Sequence, residues 1–275
     1  MATTSTSTVT VTPVNGALGA EIRGVDLAQP QDDAVYETIT AAFNTYGVVF
    51  LPDQHLTPEQ HESFSKKVGE VTAVQELRKE PEQTRNIGES WHVDMTFRAA
   101  PPIATMLTSH ILPERGGDTL WQSMAAAYDA LSDGLKRTLL GMRAVHANVR
   151  NLGLSYEHTA PPEPSVSEYD NAEGVLHPVV TRHPVTGRNV LFVNPEYTTR
   201  FEGWTRRESL GLLEYLYMHC AKPDFGVRLH WEPGTIAWWD NRQVWHLAVN
   251  DYQGMRRVMS RSMYAGEAPA AATTT

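Results

Sequence analysis

Short β-like runs separated by Gly, Pro and Asn fill the second half of the chain, and this pattern constrains the fold more than any other feature of the sequence. Several short strands broken by turn residues are typical of a β-sandwich or a β-barrel. The runs lie at residues 103–111, 142–147, 177–182, 189–193, 227–231, 235–239 and 257–264. We therefore expect a sandwich or barrel of short strands at the centre of the fold.

Helical periodicity and capping signals place helices around these strands. Thr57-Pro58-Glu59-Gln60 and Thr205-Arg206-Arg207-Glu208 each have the spacing of a capping box at a helix N-terminus. The predicted helices cover residues 33–46, 57–68, 123–140 and 205–220, and two further strands are predicted at residues 18–25 and 48–51. Helices concentrated towards the front and strands behind them predict an α+β fold.

One large domain is the expected organisation, because the chain has 275 residues and no internal repeat. We assign this domain to residues 13–264. Residues 1–12 and 265–275 are rich in Ala, Ser and Thr and are expected to be disordered tails. Residues 151–176 contain Pro161-Pro162-Glu163-Pro164 and little periodicity, which is typical either of an active-site loop or lid, or of a solvated surface insertion.

The charge balance excludes several classes of partner. The chain has 23 Lys and Arg against 32 Asp and Glu, a formal charge of -9, so no basic field attracts nucleic acid or an anionic membrane. Its apolar runs are too short to cross a bilayer. The single Cys220 excludes an intramolecular disulfide and fits a reducing compartment, and the N-terminus lacks a secretory signal. The expected location is the cytoplasm.

Trp91-His92-Val93-Asp94 places an imidazole and a carboxylate two residues apart. In extended backbone such residues point to the same side, so both can reach one metal ion. His-x-Asp pairs are common by chance, but the second half of the chain adds His246 after a predicted strand and two arginines, Arg257 and Arg261, on one face of another. Inward guanidinium groups need anionic partners, which are either salt-bridging Asp or Glu residues or a bound anion.

Together these residues supply two histidines and one carboxylate for a metal, plus a cationic pocket for a small dicarboxylate. Such a triad with open positions is the apparatus of a non-haem iron(II) oxygenase. Three protein ligands leave three octahedral positions, two for a bidentate 2-oxo acid and one for dioxygen. The set therefore predicts an iron site rather than a closed structural metal site.

At this point the sequence resembles the taurine dioxygenase family of iron(II)- and 2-oxoglutarate-dependent dioxygenases. The resemblance covers nearly the whole chain, and the order and spacing of its motifs both match. The matching motifs lie at residues 19–27, 91–97, 116–121, 177–180, 193–194, 239–242 and 246–261. The family implies a double-stranded β-helix, or jelly roll, with flanking helices and with the metal towards one end of the barrel.

The resemblance also implies roles for single residues. It makes Thr119 the hydroxyl that binds the distal carboxylate of 2-oxoglutarate and Arg257 the arginine that pairs with it. Arg261 resembles a second arginine that holds either the cosubstrate or the anionic end of the prime substrate. The implied reaction is hydroxylation of a substrate C–H bond, coupled to decarboxylation of 2-oxoglutarate to succinate and CO2. The implied Fe(II) ligands, which are also the catalytic residues, are His92, Asp94 and His246.

The pattern departs from relatives that hydroxylate taurine. Val74 and Leu77 stand where those relatives carry a histidine and a tyrosine for the sulfonate and amine, and Gly88 replaces an asparagine. Each missing buried partner costs roughly 1–3 kcal/mol, so taurine becomes a poor candidate.

We therefore expect a small organic anion with an apolar or aromatic body: a sulfonate, a sulfate ester or a phenoxyalkanoate. Arg261 and the backbone amide of Met95 are the candidates for holding its acidic end. For each apolar candidate the alternative is packing in the core. The apolar candidates are Val74, Leu77, Phe97, Tyr197 and Trp245.

Four alternatives remain open. The protein could be a taurine dioxygenase proper, or a natural-product tailoring hydroxylase of the same family. A zinc hydrolase built on the same triad would leave Thr119 and the arginines without a task. A jelly-roll binding protein with a structural metal would need a fourth ligand. A homodimer or homotetramer is expected because relatives associate, and nine of the eleven histidines are expected to be structural.

Overall fold

Fifteen strands make up the β-structure of the described part of the protein. The computed structural model describes residues 9–148 and 173–273. In chain order the strands are β1 (Thr10–Pro13), β2 (Ala20–Arg23), β3 (Val48–Leu51), β4 (Val71–Lys79), β5 (Ala104–Ile111), β6 (Thr119–Ser123), β7 (Arg143–His146), β8 (Val175–Pro178), β9 (Val180–Arg182), β10 (Asn189–Leu191), β11 (Thr198–Phe201), β12 (Gly226–Leu229), β13 (Ile236–Asp240), β14 (Val244–Ala248) and β15 (Arg257–Tyr264).

The largest sheet has seven strands in the order β1-β2-β3-β13-β5-β15-β4. Its strands run antiparallel except for the pair β2 and β3. Smaller sheets are formed by β12-β6-β14, β11-β7-β8 and β9-β10. One apolar cluster joins Leu107, Trp239 and Met259 of the large sheet to Trp121 of β6, so these two sheets face each other across a shared core. The predicted α+β jelly roll is confirmed.

Five helices flank the described sheets: α1 (Asp33–Tyr46), α2 (Pro58–Val68), α3 (Met124–Asp129), α4 (Asp133–Leu139) and α5 (Arg206–Cys220). Both predicted capping boxes form, at Thr57 and at Thr205. One continuous helix over residues 123–140 is wrong, because Ser132 accepts from the Leu135 amide and begins α4 as a separate helix. None of the helices in the described ranges has the length and apolarity to cross a bilayer.

Neighbouring tryptophans on β13 show how the strand separates the two sides of the large sheet. Trp238 faces the helices, where its ring stacks on Phe43 of α1 with centroids 3.8 Å apart. Trp239 faces the barrel interior, where it meets Trp121 at 5.7 Å and His246 at 4.7 Å. Successive side chains of a strand point to opposite faces, so this strand serves both layers of the core.

Both predicted tails are partly ordered. Residues 10–12 belong to β1, which pairs with β2. The C-terminal segment lies along β9, where Arg182 donates to the Ala270 carbonyl and Ala272 donates to the Val180 carbonyl. The prediction of disorder is therefore wrong for residues 10–12 and 265–273, because a low-complexity segment with small side chains can still pair with an exposed strand edge. The predicted loop or lid lies outside the described residues up to position 172, and β8 begins at Val175.

A buried histidine links α2 to the large sheet. His61 Nδ1 lies 2.7 Å from Thr108 Oγ1, and His61 Nε2 lies 2.7 Å from Ser262 Oγ. Burial and, to a smaller extent, the nearby His110 lower the pKa of His61 to about 4. The imidazole is therefore neutral in the fold at pH 7.

We expect this histidine to make the protein sensitive to acid. Between pH 6.5 and pH 4 the unfolded chain binds a proton at His61 that the folded protein does not bind, so the free energy of unfolding falls as the pH falls. The contribution is up to about 1.4 kcal/mol per pH unit. Urea unfolding at pH 7, 6 and 5 should show a shallower pH dependence in His61→Gln than in the native protein, whereas His55→Gln, at an exposed position, should keep the native slope.

Candidate active site

His92 and His246 are joined directly by backbone pairing. The two residues form an isolated antiparallel bridge, in which the His92 amide donates to the His246 carbonyl at 3.1 Å and the His246 amide donates to the His92 carbonyl at 2.9 Å. Asp94, two residues further on, lies on the same side. Its Oδ1 is 3.7 Å from His92 Nε2 and 3.8 Å from His246 Nε2. All three side chains are buried and converge on one point.

Hydrogen bonds orient two of these groups. His92 Nδ1 donates to the Ser90 carbonyl at 2.8 Å, which leaves the Nε2 lone pair directed at the centre. Asp94 Oδ2 accepts from the Thr105 hydroxyl at 2.6 Å, which leaves Oδ1 for a metal. Such partners fix the direction and basicity of metal ligands.

The support of Asp94 extends through a buried chain of hydrogen bonds. Asn241 Nδ2 donates to Thr105 Oγ1 at 3.1 Å, and Trp239 Nε1 donates to Asn241 Oδ1 at 3.0 Å. Asn241 supports the carboxylate because the turn after β13 brings it beside Thr105, whereas Arg242 binds Asp240 with two nitrogens.

The charges of the three groups are interdependent. Burial raises the pKa of Asp94, but His246, His92 and Arg261 outweigh this and hold it far below its usual range. Burial lowers the pKa of His246, and His92 lowers it further. Burial also lowers the pKa of His92, whereas Asp94 raises it, and the net result is a raised pKa. A bound divalent cation would take the place of that proton, because metal binding releases protons from its ligands.

This donor set fits a divalent transition metal with open coordination positions. Two imidazoles and one carboxylate on one side of an ion form the facial arrangement that suits non-haem Fe(II). No fourth His, Cys, Asp or Glu joins the group within residues 9–148 and 173–273. A closed four-ligand structural site is therefore not formed by the described residues.

A cavity of about 610 Å³ opens onto the triad. Its wall includes most of the residues that the sequence singled out, together with residues 82–90, of which the sequence singled out Gly88 alone. The predicted residues that meet in this cavity are Leu77, His92, Asp94, Met95, Phe97, Thr119, Tyr197, His246, Arg257 and Arg261.

Arg257 is the clearest indication of an anion-binding position. Its guanidinium is buried, and among the described residues Nε and Nη2 have no well-aligned hydrogen-bond acceptor. It lies 5.5 Å from the Trp231 ring, and none of the described Asp or Glu residues forms a salt bridge with it. Burial lowers its pKa. Trp231 Nε1 also donates to Thr119 Oγ1 at 2.9 Å, so Thr119 can direct its own hydroxyl proton into the cavity.

Arg261 lies on the metal side of the same cavity. It is half-buried, and its charge lowers the pKa of both Asp94 and His246. With its amide oxygen facing the guanidinium, Gln75 accepts from Arg261 Nε at 2.9 Å. The two arginines therefore have different surroundings, one unpartnered at Nε and the other bound to a neutral amide.

Two predicted substrate contacts are wrong. Val74 is 39% exposed, because the odd-numbered residues of β4 face inwards and Val74 lies on the other face. Trp245 is fully buried beside His246 but points away from the cavity, donates to the Val193 carbonyl at 2.8 Å and packs against Trp91. Sequence reasoning could not separate these residues from Leu77 because it did not predict β4 or β14.

Met95, Phe97 and Tyr197 do reach the cavity. Met95 has a left-handed backbone conformation, with φ of 51°, which turns the chain directly after Asp94. Phe97 and Tyr197 meet edge to face with ring centroids 5.1 Å apart. They provide an aromatic surface in the cavity that also contains His92, Asp94 and His246.

A jelly roll with two histidines and one carboxylate at the mouth of a cationic cavity defines the class of mononuclear non-haem metal oxygenases. The family described as "Taurine catabolism dioxygenase TauD, TfdA family" matches residues 10–263. The chain belongs to this family.

Individual relatives cover almost the whole chain. An alpha-ketoglutarate-dependent sulfate ester dioxygenase from Pseudomonas putida is 34% identical over 94% of this chain and 90% of its own length. An (S)-phenoxypropionate/alpha-ketoglutarate-dioxygenase from Sphingobium herbicidovorans is 30% identical over 96% of both. The crystal structure of a taurine dioxygenase from Burkholderia xenovorans superposes with a TM-score of 0.81 at 35% identity, covering 96% of this chain and 93% of that chain.

These findings make the protein a 2-oxoglutarate-dependent dioxygenase, an oxidoreductase that uses Fe(II), 2-oxoglutarate and O2.

Thr105 should contribute measurably to metal affinity. Thr105→Val removes the hydrogen bond to Asp94 Oδ2 while keeping the shape of the side chain, and loss of such a partner typically weakens metal binding by about 10- to 100-fold. Competition with a chelator under anaerobic conditions measures the Fe(II) affinity. Thr105→Ser keeps the hydroxyl and should bind Fe(II) like the native protein; equal affinity in all three proteins would contradict the role.

Proposed function

We propose that the protein hydroxylates a C–H bond of a small organic anion with an apolar or aromatic body, coupled to decarboxylation of 2-oxoglutarate to succinate and CO2. The sulfate ester, sulfonate and phenoxyalkanoate classes fit best. The observation that carries the proposal is one cavity that combines the His-Asp-His group, unpartnered guanidinium donors and an aromatic pair. The sulfate ester and phenoxypropionate dioxygenases among the relatives support the same substrate classes.

In this proposal His92, Asp94 and His246 hold Fe(II). The bound metal supplies oxygen activation and cleavage of the C–H bond. Arg257 and Thr119 hold the distal carboxylate of 2-oxoglutarate, since Arg257 has two buried donors without an acceptor and Thr119 can donate its hydroxyl proton. The protein thereby orients the cosubstrate before the reaction, and the buried site excludes bulk water.

The prime substrate occupies the remaining part of the cavity. Arg261 and the backbone of Met95 hold its anionic end, a role supported by the position of Arg261 on the metal side and by its having a neutral amide partner, Gln75. Leu77, Phe97 and Tyr197 offer an apolar surface for its body. The target C–H bond is then held between the anion contact and the aromatic pair.

Taurine fits this cavity less well than such a substrate. Leu77 supplies no polar atom to an ammonium or a sulfonate. Gly88 has φ of +80°, and a Cβ added there would lie 2.9 Å from His92 Cε1, so a side chain that could bind taurine has no room at this position. A taurine dioxygenase proper is therefore less well supported, whereas a tailoring hydroxylase of the same family would share the chemistry and differ in substrate.

A zinc hydrolase is the alternative from another class. Its mechanism needs a metal-bound water but no second anion site. In such an enzyme Arg257 would be a buried cation with unpaired donors and no ligand to bind, and a buried unpaired charge destabilises the fold.

Anaerobic spectroscopy distinguishes the proposed dioxygenase from a zinc hydrolase. Fe(II) and 2-oxoglutarate added without oxygen should give the native protein a weak visible metal-to-ligand charge-transfer band, because the 2-oxo acid chelates the iron. His92→Ala should lose the band, and His55→Ala, at an exposed position, should keep it. Native protein that is loaded with iron and gives neither the band nor succinate would refute the proposal, and zinc-dependent ester hydrolysis would support the alternative.

The substrate class can be tested by the yield of succinate. An alkyl sulfate ester, an alkyl sulfonate, a phenoxypropionate and taurine are compared under equal conditions, with loss of each substrate measured beside succinate. At least one of the apolar anions should exceed taurine at least tenfold in kcat/KM, and the uncharged alcohol of the same body should not be turned over. Efficient turnover of taurine, with no higher kcat/KM for the apolar anions, would contradict the proposed substrate class.

A further inference from the structure

Tyr252 is a buried residue of the cavity wall with no assigned task. It lies in the turn between β14 and β15 and is fully buried. Its hydroxyl oxygen lies beside the guanidinium of Arg257, which can only donate, and no acceptor for the hydroxyl proton is present among the described residues. A buried hydroxyl proton without an acceptor is costly, and it is satisfied when a ligand with an acceptor oxygen binds. The hydroxyl therefore marks a ligand position.

The neighbours of Tyr252 define the chemistry of that ligand. Arg257 lies beside the ring, and its Nε and Nη2 also lack acceptors. Lys79 Nζ lies 4.0 Å above the centre of the ring, is 4% exposed and has Asn250 Oδ1 as a hydrogen-bond partner at 2.8 Å. Two cations and one hydroxyl donor thus share one end of the cavity.

The strand register explains why the cations are adjacent. Lys79 at the end of β4 is the direct cross-strand partner of Arg257 at the start of β15. Both side chains face the interior, and among the described residues neither forms a salt bridge with a carboxylate. Like charges directly opposite each other destabilise a sheet. The carboxylates of Glu89 and Asp251 attract Lys79 and that of Asp118 attracts Arg257, and an anion bound between the two cations would compensate them further.

The Gly116-Gly117-Asp118-Thr119 motif before β6 leaves space for the ring of Tyr252. Gly117 has φ of +74°, and a Cβ there would lie 3.3 Å from Tyr252 Cδ1. The Gly117 amide donates to Asp251 Oδ1 at 2.7 Å, which fixes the turn that carries Tyr252. The same motif ends at Thr119, so it positions the ring and the threonine hydroxyl on the same wall.

We propose that Tyr252 is a further cosubstrate-binding residue, whose hydroxyl donates a hydrogen bond to the distal carboxylate of 2-oxoglutarate held by Arg257. Lys79 keeps the ring in place and adds positive charge at the same end. A cation over the face of a tyrosine is attracted to the ring and makes its hydroxyl a better donor. This inference rests on the proposed function, because it takes 2-oxoglutarate as the anion that Arg257 binds.

The test compares two ligands that differ in the distal carboxylate alone. Native protein and Tyr252→Phe are loaded with Fe(II) without oxygen and titrated with 2-oxoglutarate or with 2-oxopentanoate, and the charge-transfer band reports the Kd. Loss of a hydrogen bond to a charged group should weaken the binding of 2-oxoglutarate to Tyr252→Phe roughly tenfold or more. The Kd of 2-oxopentanoate should stay unchanged, as should the KM of the prime substrate.

Tyr264→Phe is the matched control, because Tyr264 is a buried tyrosine outside the cavity. It should leave both Kd values unchanged. Lys79→Met removes the ammonium while keeping a side chain of similar length. It should weaken the binding of 2-oxoglutarate but not that of 2-oxopentanoate. Lys79→Arg should retain most of the affinity. The melting temperature of each variant confirms that it is folded.

The outcomes distinguish failure of this inference from failure of the proposed function. Absence of any band in the native protein would overturn the proposed function. A native band with equal 2-oxoglutarate affinity in Tyr252→Phe would overturn this inference alone, and so would an equal loss of affinity for both ligands, because that result would make the tyrosine structural.

Discussion

The antiparallel bridge between His92 and His246 is the interaction on which the site depends. Two backbone hydrogen bonds join the chain before β5 to β14, so both imidazoles are positioned by main-chain pairing rather than by a mobile loop. Asp94 follows at the spacing that returns to the same face. The proposed metal group is therefore built into the sheet architecture, and its geometry is as rigid as the pairing itself.

The cavity is lined by positive charges, although the protein as a whole is negatively charged. The chain has a formal charge of -9, yet the inward positions of β15 and the end of β4 carry Arg257, Arg261 and Lys79. A buried cation without an anionic partner is costly, and Arg257, whose Nε and Nη2 have no acceptor among the described residues, favours an anion at this position. Coulomb attraction over long distances contributes little, and recognition relies on short contacts inside the cavity.

Much of this could be predicted from local patterns. The capping boxes at Thr57 and Thr205, the β15 bounds and the two-residue spacing of His92 and Asp94 all follow from neighbours in the sequence. The direction of a side chain could not be predicted where it depends on the register of a strand. Val74 and Leu77 point to opposite faces of β4, and Trp245 points away from its neighbour His246. The order of the C-terminal segment depends on the free edge of β9.

Sequence alone established the local elements, the chemical types of the proposed ligands and, through the order of its motifs, the resemblance to a dioxygenase family. Folding in three dimensions brought together residues that no local pattern connects: Asn241 with Thr105 and Asp94, and Tyr252 with Gly117, Lys79 and Arg257. Those contacts depend on strand register, and a shift of one residue would turn every side chain of a strand to the other face. Register is set by the packing of the whole core, which is why the support of Asp94 and the position of the Tyr252 hydroxyl beside Arg257 are visible in the folded chain alone.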